Sequence, residues 1–296
     1  MPKCQRAAEF HMMKLHMFYF QLRNELWKLF GKKRTYIGSS MFFLAQTIGI
    51  LLFQFGKGPY RDLMRDIENA GYPAEHFVSN LTIASFLLVP IGYFLLPLYV
   101  ALVGGDMVAK EAEDGTLRMI LSRPISRLRL LLLKWTAGGI FSLVLVLSLG
   151  CFGAVFARAF FPSGGLFVAM PLERFMSGFD GASAWERFAA VHLFMTVEAI
   201  TLMTLAFMFS CFNIKPAAAT ILAISFFFIS MILHDMPYFR ELRECFMVHH
   251  LYLWSHFFRP HIPWWRVGES LSILAGYNLT FLVIGCTAFQ LRDIKS

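Results

Sequence analysis

The sequence predicts an all-α polytopic membrane protein: six transmembrane helices behind an N-terminal amphipathic helix, with both termini cytoplasmic. Three observations carry that prediction. Of 296 residues, 57% are hydrophobic and only 16% charged, and mean hydropathy is +0.57. A soluble domain carries roughly 45–50% apolar and about 25% charged residues, so this chain lacks the charge to coat a water-facing surface. Second, six apolar stretches have about the length an α-helix needs to cross the hydrocarbon, where lipid offers no partner to backbone N–H and C=O groups. Third, the basic residues are placed unevenly along the chain. The composition also excludes a disordered chain, a collagen and a disulfide-stapled secreted module.

The chain is read as two parts, residues 1–35 and 36–296. In the first, Leu15, Phe18, Leu22, Leu26 and Leu29 recur at spacings of three and four, with Lys14, Gln21, Glu25, Lys28 and Lys32 on the other side. That pattern predicts an interfacial helix of about 20 residues, ending at Gly31 before Lys32-Lys33-Arg34. Such a helix lies in the headgroup plane with Trp27 near the interface, as a membrane anchor and as a lever touching a cytoplasmic partner.

The spans follow at approximately Tyr36–Phe55, Leu81–Val103, Leu130–Phe156, Phe188–Phe212, Ala217–Leu233 and Ser270–Gln290. The first begins too deep in the chain to be a cleaved signal peptide. Pro216 sets a tight turn before the fifth. With six spans both ends lie on one side, and that side holds seventeen Lys/Arg. The opposite side holds ten, offset by eleven acids, which places the termini in the cytoplasm. The same placement assigns the net charge of +8 to membrane orientation and lipid headgroups, and no nucleic-acid partner is expected. The long outer segments are 56–80, 157–187 and 234–269; the last, rich in aromatics with Pro237, Pro260 and Pro263, reads as short helices or a re-entrant hairpin.

The most informative stretch runs from Lys110 to Arg127 inside the inner loop 105–129. Asp114 or Thr116 can cap a short helix, Pro124 can stop it, and Ser126 can cap the third span. The result is a short, charged, rigid helix at the cytoplasmic face. This stretch resembles the signature of ABC-2 type permeases, the membrane subunits of a class of ATP-binding-cassette exporters. Glu111, Gly115, Thr116, Leu117, Leu121, Ser122, Pro124, Ser126, Arg127 and Lys134 fit it, as does the ending Phe289-Gln290-Leu291-Arg292-Asp293-Ile294. Gln290-Leu291 departs from the more basic residues that many members carry there.

The resemblance implies a permease in which this loop docks on an ATPase subunit, with Glu111, Glu113, Gly115, Thr116, Leu117, Arg118, Ser122, Pro124, Ser126 and Arg127 as coupling residues. It implies a second permease copy and a location in the bacterial inner membrane. The chain has no GxxxxGK[ST] phosphate loop, so no enzyme activity is expected in it. ATP and Mg²⁺ would belong to the partner, and no cofactor to this chain. Two alternatives remain: a subunit of the same architecture that remodels a partner protein without transport, and an intramembrane enzyme.

Inside the spans, Glu198 is the one acid well within an apolar run, and such residues face protein or water with a partner. Asn278 and Tyr277 sit at comparable depth in the sixth span and are the partners expected. Pro90 and Pro97 can kink the second span, and Gly138, Gly139, Gly150 and Gly153 allow close approach of the third. His249, His250, His256 and His261, with Cys245 and Met247, match no metal-ligand spacing, and no metal is expected. Asn80-Leu81-Thr82 forms a glycosylation sequon, and the five cysteines form no disulfide framework.

Overall fold

The computed structural model describes residues 2–122, 125–170 and 175–292, with side chains described from His16 onward. Its helices in chain order are α1 (Pro2–Gly31), α2 (Lys33–Phe55), α3 (Lys57–Asn69), α4 (Ala74–Phe77), α5 (Asn80–Pro90), α6 (Leu96–Glu113), α7 (Thr116–Leu121), α8 (Arg127–Arg158), α9 (Gly181–Ser210), α10 (Pro216–Asp235), α11 (Met247–Leu251) and α12 (Trp264–Leu291). Six rods are long and apolar enough to cross a membrane: α2, the continuous rod Asn80–Glu113, α8, α9, α10 and α12. All six predicted spans are present. The differences lie at their ends: α9 starts at Gly181 instead of Phe188, and the second rod runs to Glu113 instead of Val103. Hydropathy registers only the stretch that lipid surrounds, whereas the helix continues until its hydrogen-bond ladder is broken.

The second rod stays unbroken through both prolines. A π-helical turn at Ile91–Leu95 follows Pro90, which has no N–H to donate, and Pro97 falls in the first turn of α6. One wide turn of this kind absorbs the missing donor locally. Further along, Gly104 lies so close to α9 that a Cβ there would collide with the Met203 carbonyl, and one on Gly105 would strike the Thr220 hydroxyl of α10. Adjacent glycines thus let α6 pack between two helices at once. Gly150 of α8 has the same function against His192 of α9.

The centre of the bundle is α9, whose apolar window is 72% buried against 22% for α2 and α12 and 28% for α10. The second rod and α8 pack against it, with Ala199, Leu202, Met203, Ala206 and Phe207 of α9 in the shared core. The outward faces of α2, α10 and α12 stay apolar, with Ile37, Met41, Leu44, Ile229, Leu279 and Val283 all exposed.

One end of the bundle gathers α1, α7 and the C-terminal end of α12; it is called the basic end below. At the far end, α3, α4 and a hairpin of β1 (Leu166–Met170) and β2 (Phe175–Phe179) enclose a second core of Ile50, Phe53, Leu63, Ile67, Phe77, Phe161 and Phe167. This antiparallel hairpin is the exception to an all-helical prediction, and its Leu166, Phe167, Val168 and Met170 are buried. Asn80 is also buried there and donates to the Ala154 carbonyl, so the sequon is inaccessible to a glycosylating enzyme. The segment 237–258 forms short helices: a 3₁₀ stretch Pro237–Cys245, α11, and a second 3₁₀ stretch Tyr252–Phe258. Its last part turns back into the bundle, and Trp254, Phe257 and Phe258 are fully enclosed.

Candidate functional site

The candidate site is built where α6 ends and α7 begins. Asp114 and Gly115 join them, and Gly115 adopts φ +73°, the left-handed region open to glycine at low cost. The turn closes through Asp114 N–H to the Lys110 carbonyl and Gly115 N–H to the Ala112 carbonyl. Neither proposed cap is found. Gly115 occupies the N-cap of α7 without a side-chain hydrogen bond, and the Thr116 hydroxyl donates back to the Glu111 carbonyl at 3.2 Å. Glu111 and Glu113 lie in the last turn of α6. The cap expected from Ser126 is present: its Oγ accepts from Arg129 N–H at the start of α8.

α7 has two faces. Leu117 is 2% exposed, and Ile120 and Leu121 pack beside it on the core. Arg118, Met119 and Ser122 point away, Met119 being 68% exposed. Leu117, Ile120 and Leu121, three and four residues apart, share the gripping face, and Arg118 and Ser122, four apart, share the offered one. Among the residues singled out in the sequence, Glu113, Gly115, Arg118, Ser122 and Ser126 therefore reach the surface. Pro124 lies outside the described residues. Arg127 also turns inward: its Nη1 donates to the carbonyls of Gln290 and Arg292, both at 3.1 Å, and of Phe289 at 3.4 Å. It caps α12, and Arg292 in turn donates to the Phe212 carbonyl just beyond α9. A cation near the last carbonyls of a helix satisfies acceptors that have no partner in the ladder.

Beneath α7 four charges close a ring. Lys134 Nζ of α8 lies 2.7 Å from Glu111 Oε1 and 2.8 Å from Glu25 Oε2 of α1. Lys28 Nζ completes it at 2.6 Å from Glu25 Oε1 and 3.5 Å from Glu111 Oε1. The side chain of Lys134 is 2% exposed and those of the two glutamates 12% and 14%. Burial pushes the Glu25 carboxyl upward, but Lys134 and Lys28 outweigh it and hold the group below its ordinary value. Burial pulls Lys28 down, and the hydrogen bond to Glu25 with the charge of Glu111 more than restores it, so its ammonium sits above the usual range. Each charge is compensated by two neighbours of opposite sign, the condition under which a buried ion pair is tolerated.

The ring corrects the reading of α1. Its apolar side faces the bundle: Leu29 is buried, Leu22 and Leu26 pack on the core, and the Phe30 ring lies 5.5 Å from Phe141 of α8. Glu25 and Lys28, assigned to the outward face, reach inward to Lys134 and Glu111. The signal was in the spacing, since Glu25 falls between Leu22 and Leu29 on the same stripe. Met17, Phe20 and Trp27 stay exposed on the other side. The elbow after α1 is pinned three times: Thr35 Oγ1 donates to the Leu29 carbonyl, Tyr99 OH to the Thr35 carbonyl, and Arg34 pairs with Asp106 at 2.6 Å.

The intramembrane candidates separate. Glu198 is fully buried, and its Oε2 accepts from Trp254 Nε1 at 2.7 Å, so its partner comes from the re-entrant segment and not from α12. Asn278 Nδ2 donates instead to Thr201 Oγ1 at 2.8 Å, one turn along α9 from Glu198. Tyr277 OH donates to the Cys245 carbonyl at 3.4 Å. Tyr93, within the π turn, packs tilted against Tyr252 and edge-on to Trp254 with ring centres 4.2 Å and 5.7 Å away. Sequence reasoning missed Trp254, because a tryptophan in a polar outer segment reads as an interfacial residue.

Five spans around a buried sixth, with a short helix held at one end beside a ring of charges, define a multi-pass membrane protein. Residues 9–242 match the family described as ABC-2 family transporter protein, and the chain belongs to that family. No curated protein matches it. The chain is thus a membrane component of an ATP-binding-cassette transporter, a class that works with an ABC ATPase.

Proposed function

We propose that this chain is the permease of an ABC exporter and that a separate ATPase subunit moves it by gripping the outward face of α7. The observation that carries this reading is the ring of Glu25, Lys28, Glu111 and Lys134. It joins the end of α6, to which α7 is attached, to α1 and α8, so a displacement delivered to Arg118, Met119 and Ser122 passes to two spans and the N-terminal helix together. A ligand-driven change needs differential contact energy between two states, and closure of the ATPase pair on ATP supplies it. ATP and Mg²⁺ are held by that partner, and this chain contributes no catalytic group.

The excess of Lys/Arg on the side that holds α1, α7 and the C-terminal tail supports a cytoplasmic basic end in a bacterial plasma membrane. The exposed stripe of Met17, Phe20 and Trp27 then lies among the headgroups of the inner leaflet. The apolar outward faces of α2, α10 and α12 meet lipid and a second permease copy.

The test is ATP turnover of the reconstituted transporter. Arg118→Glu reverses a charge on the offered face without touching the ring. It is expected to lower transport-coupled turnover by tenfold or more on the order of one lost charged contact, with insertion and thermal stability unchanged. Unchanged turnover would remove α7 from the mechanism. Arg127 is unsuited to that test because its loss uncaps α12.

A further inference from the structure

The geometry points to a transition-metal site at the far end of the bundle, formed by His234 of α10 and His249 of α11. The His234 Nε2 and His249 Nδ1 atoms share a hydrogen bond of 3.4 Å, whose single proton an incoming ion would displace, and the ring centres are 5.6 Å apart. Two nitrogens on a tetrahedral Zn²⁺, each about 2.0–2.1 Å from it, are separated by about 3.3–3.4 Å. The ligand atoms therefore already stand at the spacing the ion imposes. Behind them, Asp235 Oδ1 lies 2.9 Å from His234 Nδ1. A carboxylate on the far nitrogen fixes the tautomer that leaves Nε2 with its lone pair, as it does for most metal-bound histidines.

The neighbouring histidine differs in that both of its nitrogens are bonded to groups outside the pair. His250 spends Nδ1 on Ser270 Oγ at 3.1 Å and Nε2 on the Glu244 carbonyl at 2.9 Å. Among the described residues no three such ligands converge, so two imidazoles hold the ion and water completes its shell. Such a site takes an exchangeable imidazole-preferring ion such as Zn²⁺, Co²⁺ or Ni²⁺, and not Mg²⁺ or Ca²⁺, which want oxygen. His249 is exposed and Asp235 is open to solvent, so the ion has a way in. It would clamp the end of α10 to α11, immediately before the segment that carries Trp254 to Glu198. The spacing of histidines in the sequence hid the site because His234 completes it from another helix.

Equilibrium dialysis against Zn²⁺ tests the site, using the full chain in detergent without a polyhistidine tag. One zinc per chain is expected, abolished by His234→Ala or by His249→Ala and unchanged in His261→Ala. Asp235→Asn is expected to weaken binding about 10–100-fold. Zinc should raise the unfolding temperature of the wild type and of His261→Ala, and leave the two ligand variants where they are. Each variant must match the wild type's unfolding temperature without zinc; His249→Gln replaces the alanine variant if that one does not. Absence of zinc from the wild type, or equal binding by His234→Ala and His249→Ala, would overturn the assignment.

Discussion

At the scale of single residues, Lys134 is the most constrained group of the basic end. Removing it as Lys134→Met leaves Glu25 and Glu111 buried beside one another with Lys28 alone to compensate them. Breaking a buried pair from one side costs about 3–5 kcal/mol, so this variant should unfold at a clearly lower temperature in detergent, measured by intrinsic fluorescence. The ring should also respond to pH in a defined sense. Glu25 lies below its ordinary 4.5 when folded, so its contribution is full above 4.5 and is lost as pH falls through the depressed value. Lys28 lies above 10.5, so its contribution is full below 10.5 and is lost as pH rises through the raised value. Stability attributable to the ring should therefore be flat through neutral pH, and the difference between wild type and Lys134→Met should shrink in acid.

Glu198 offers a second test at this scale. Trp254→Phe removes the donor and leaves a buried acceptor unsatisfied, a loss of about 1–3 kcal/mol. Glu198→Gln keeps an acceptor oxygen in place and should cost less. A larger loss for Glu198→Gln than for Trp254→Phe, in the same unfolding assay, would show that the pair is not what holds the re-entrant segment.

At the scale of elements, Gly115 sets the angle between α6 and α7. A Cβ there meets nothing within 4 Å, so the cost of a substitution is conformational alone. Gly115→Val forces a branched residue into the left-handed region at roughly 1–2 kcal/mol, and α7 should detach from its seat on Leu117. Limited proteolysis should then cut near residue 119 in the variant and spare the wild type. How far these elements could be read in advance depended on what fixes each one. The spans were legible because lipid demands about twenty apolar residues and nothing tertiary. The N-terminal helix was legible in its period and its end at Gly31. Its partner was not: the polar residues that bind it lie 83 and 109 positions further along. The hairpin carries no alternating pattern that separates it from a loop, and its burial comes from α5 and from both cores.

For the whole molecule, the wiring at the basic end and the re-entrant segment at the far end meet on α9. Arg292 donates just beyond its basic end, Glu198 holds Trp254 along its length, and α6 touches its backbone at Gly104. The basic end and the far end are thus joined through packed, hydrogen-bonded helices. The resemblance identified Glu111 and Lys134 as part of one signature; the structure supplies the physical reason, a salt bridge of 2.7 Å. It also divides that signature into residues that hold α7 and residues that α7 displays.

The most direct test places a photocrosslinking amino acid at position 119, on the exposed crest of α7, in living cells. The account predicts a covalent adduct with a nucleotide-hydrolysing subunit, formed from the cytoplasmic side and lost when Arg118 is reversed to glutamate. Reaction of a cysteine at the same position with a membrane-impermeant reagent added outside the cell, with no such adduct, would contradict it.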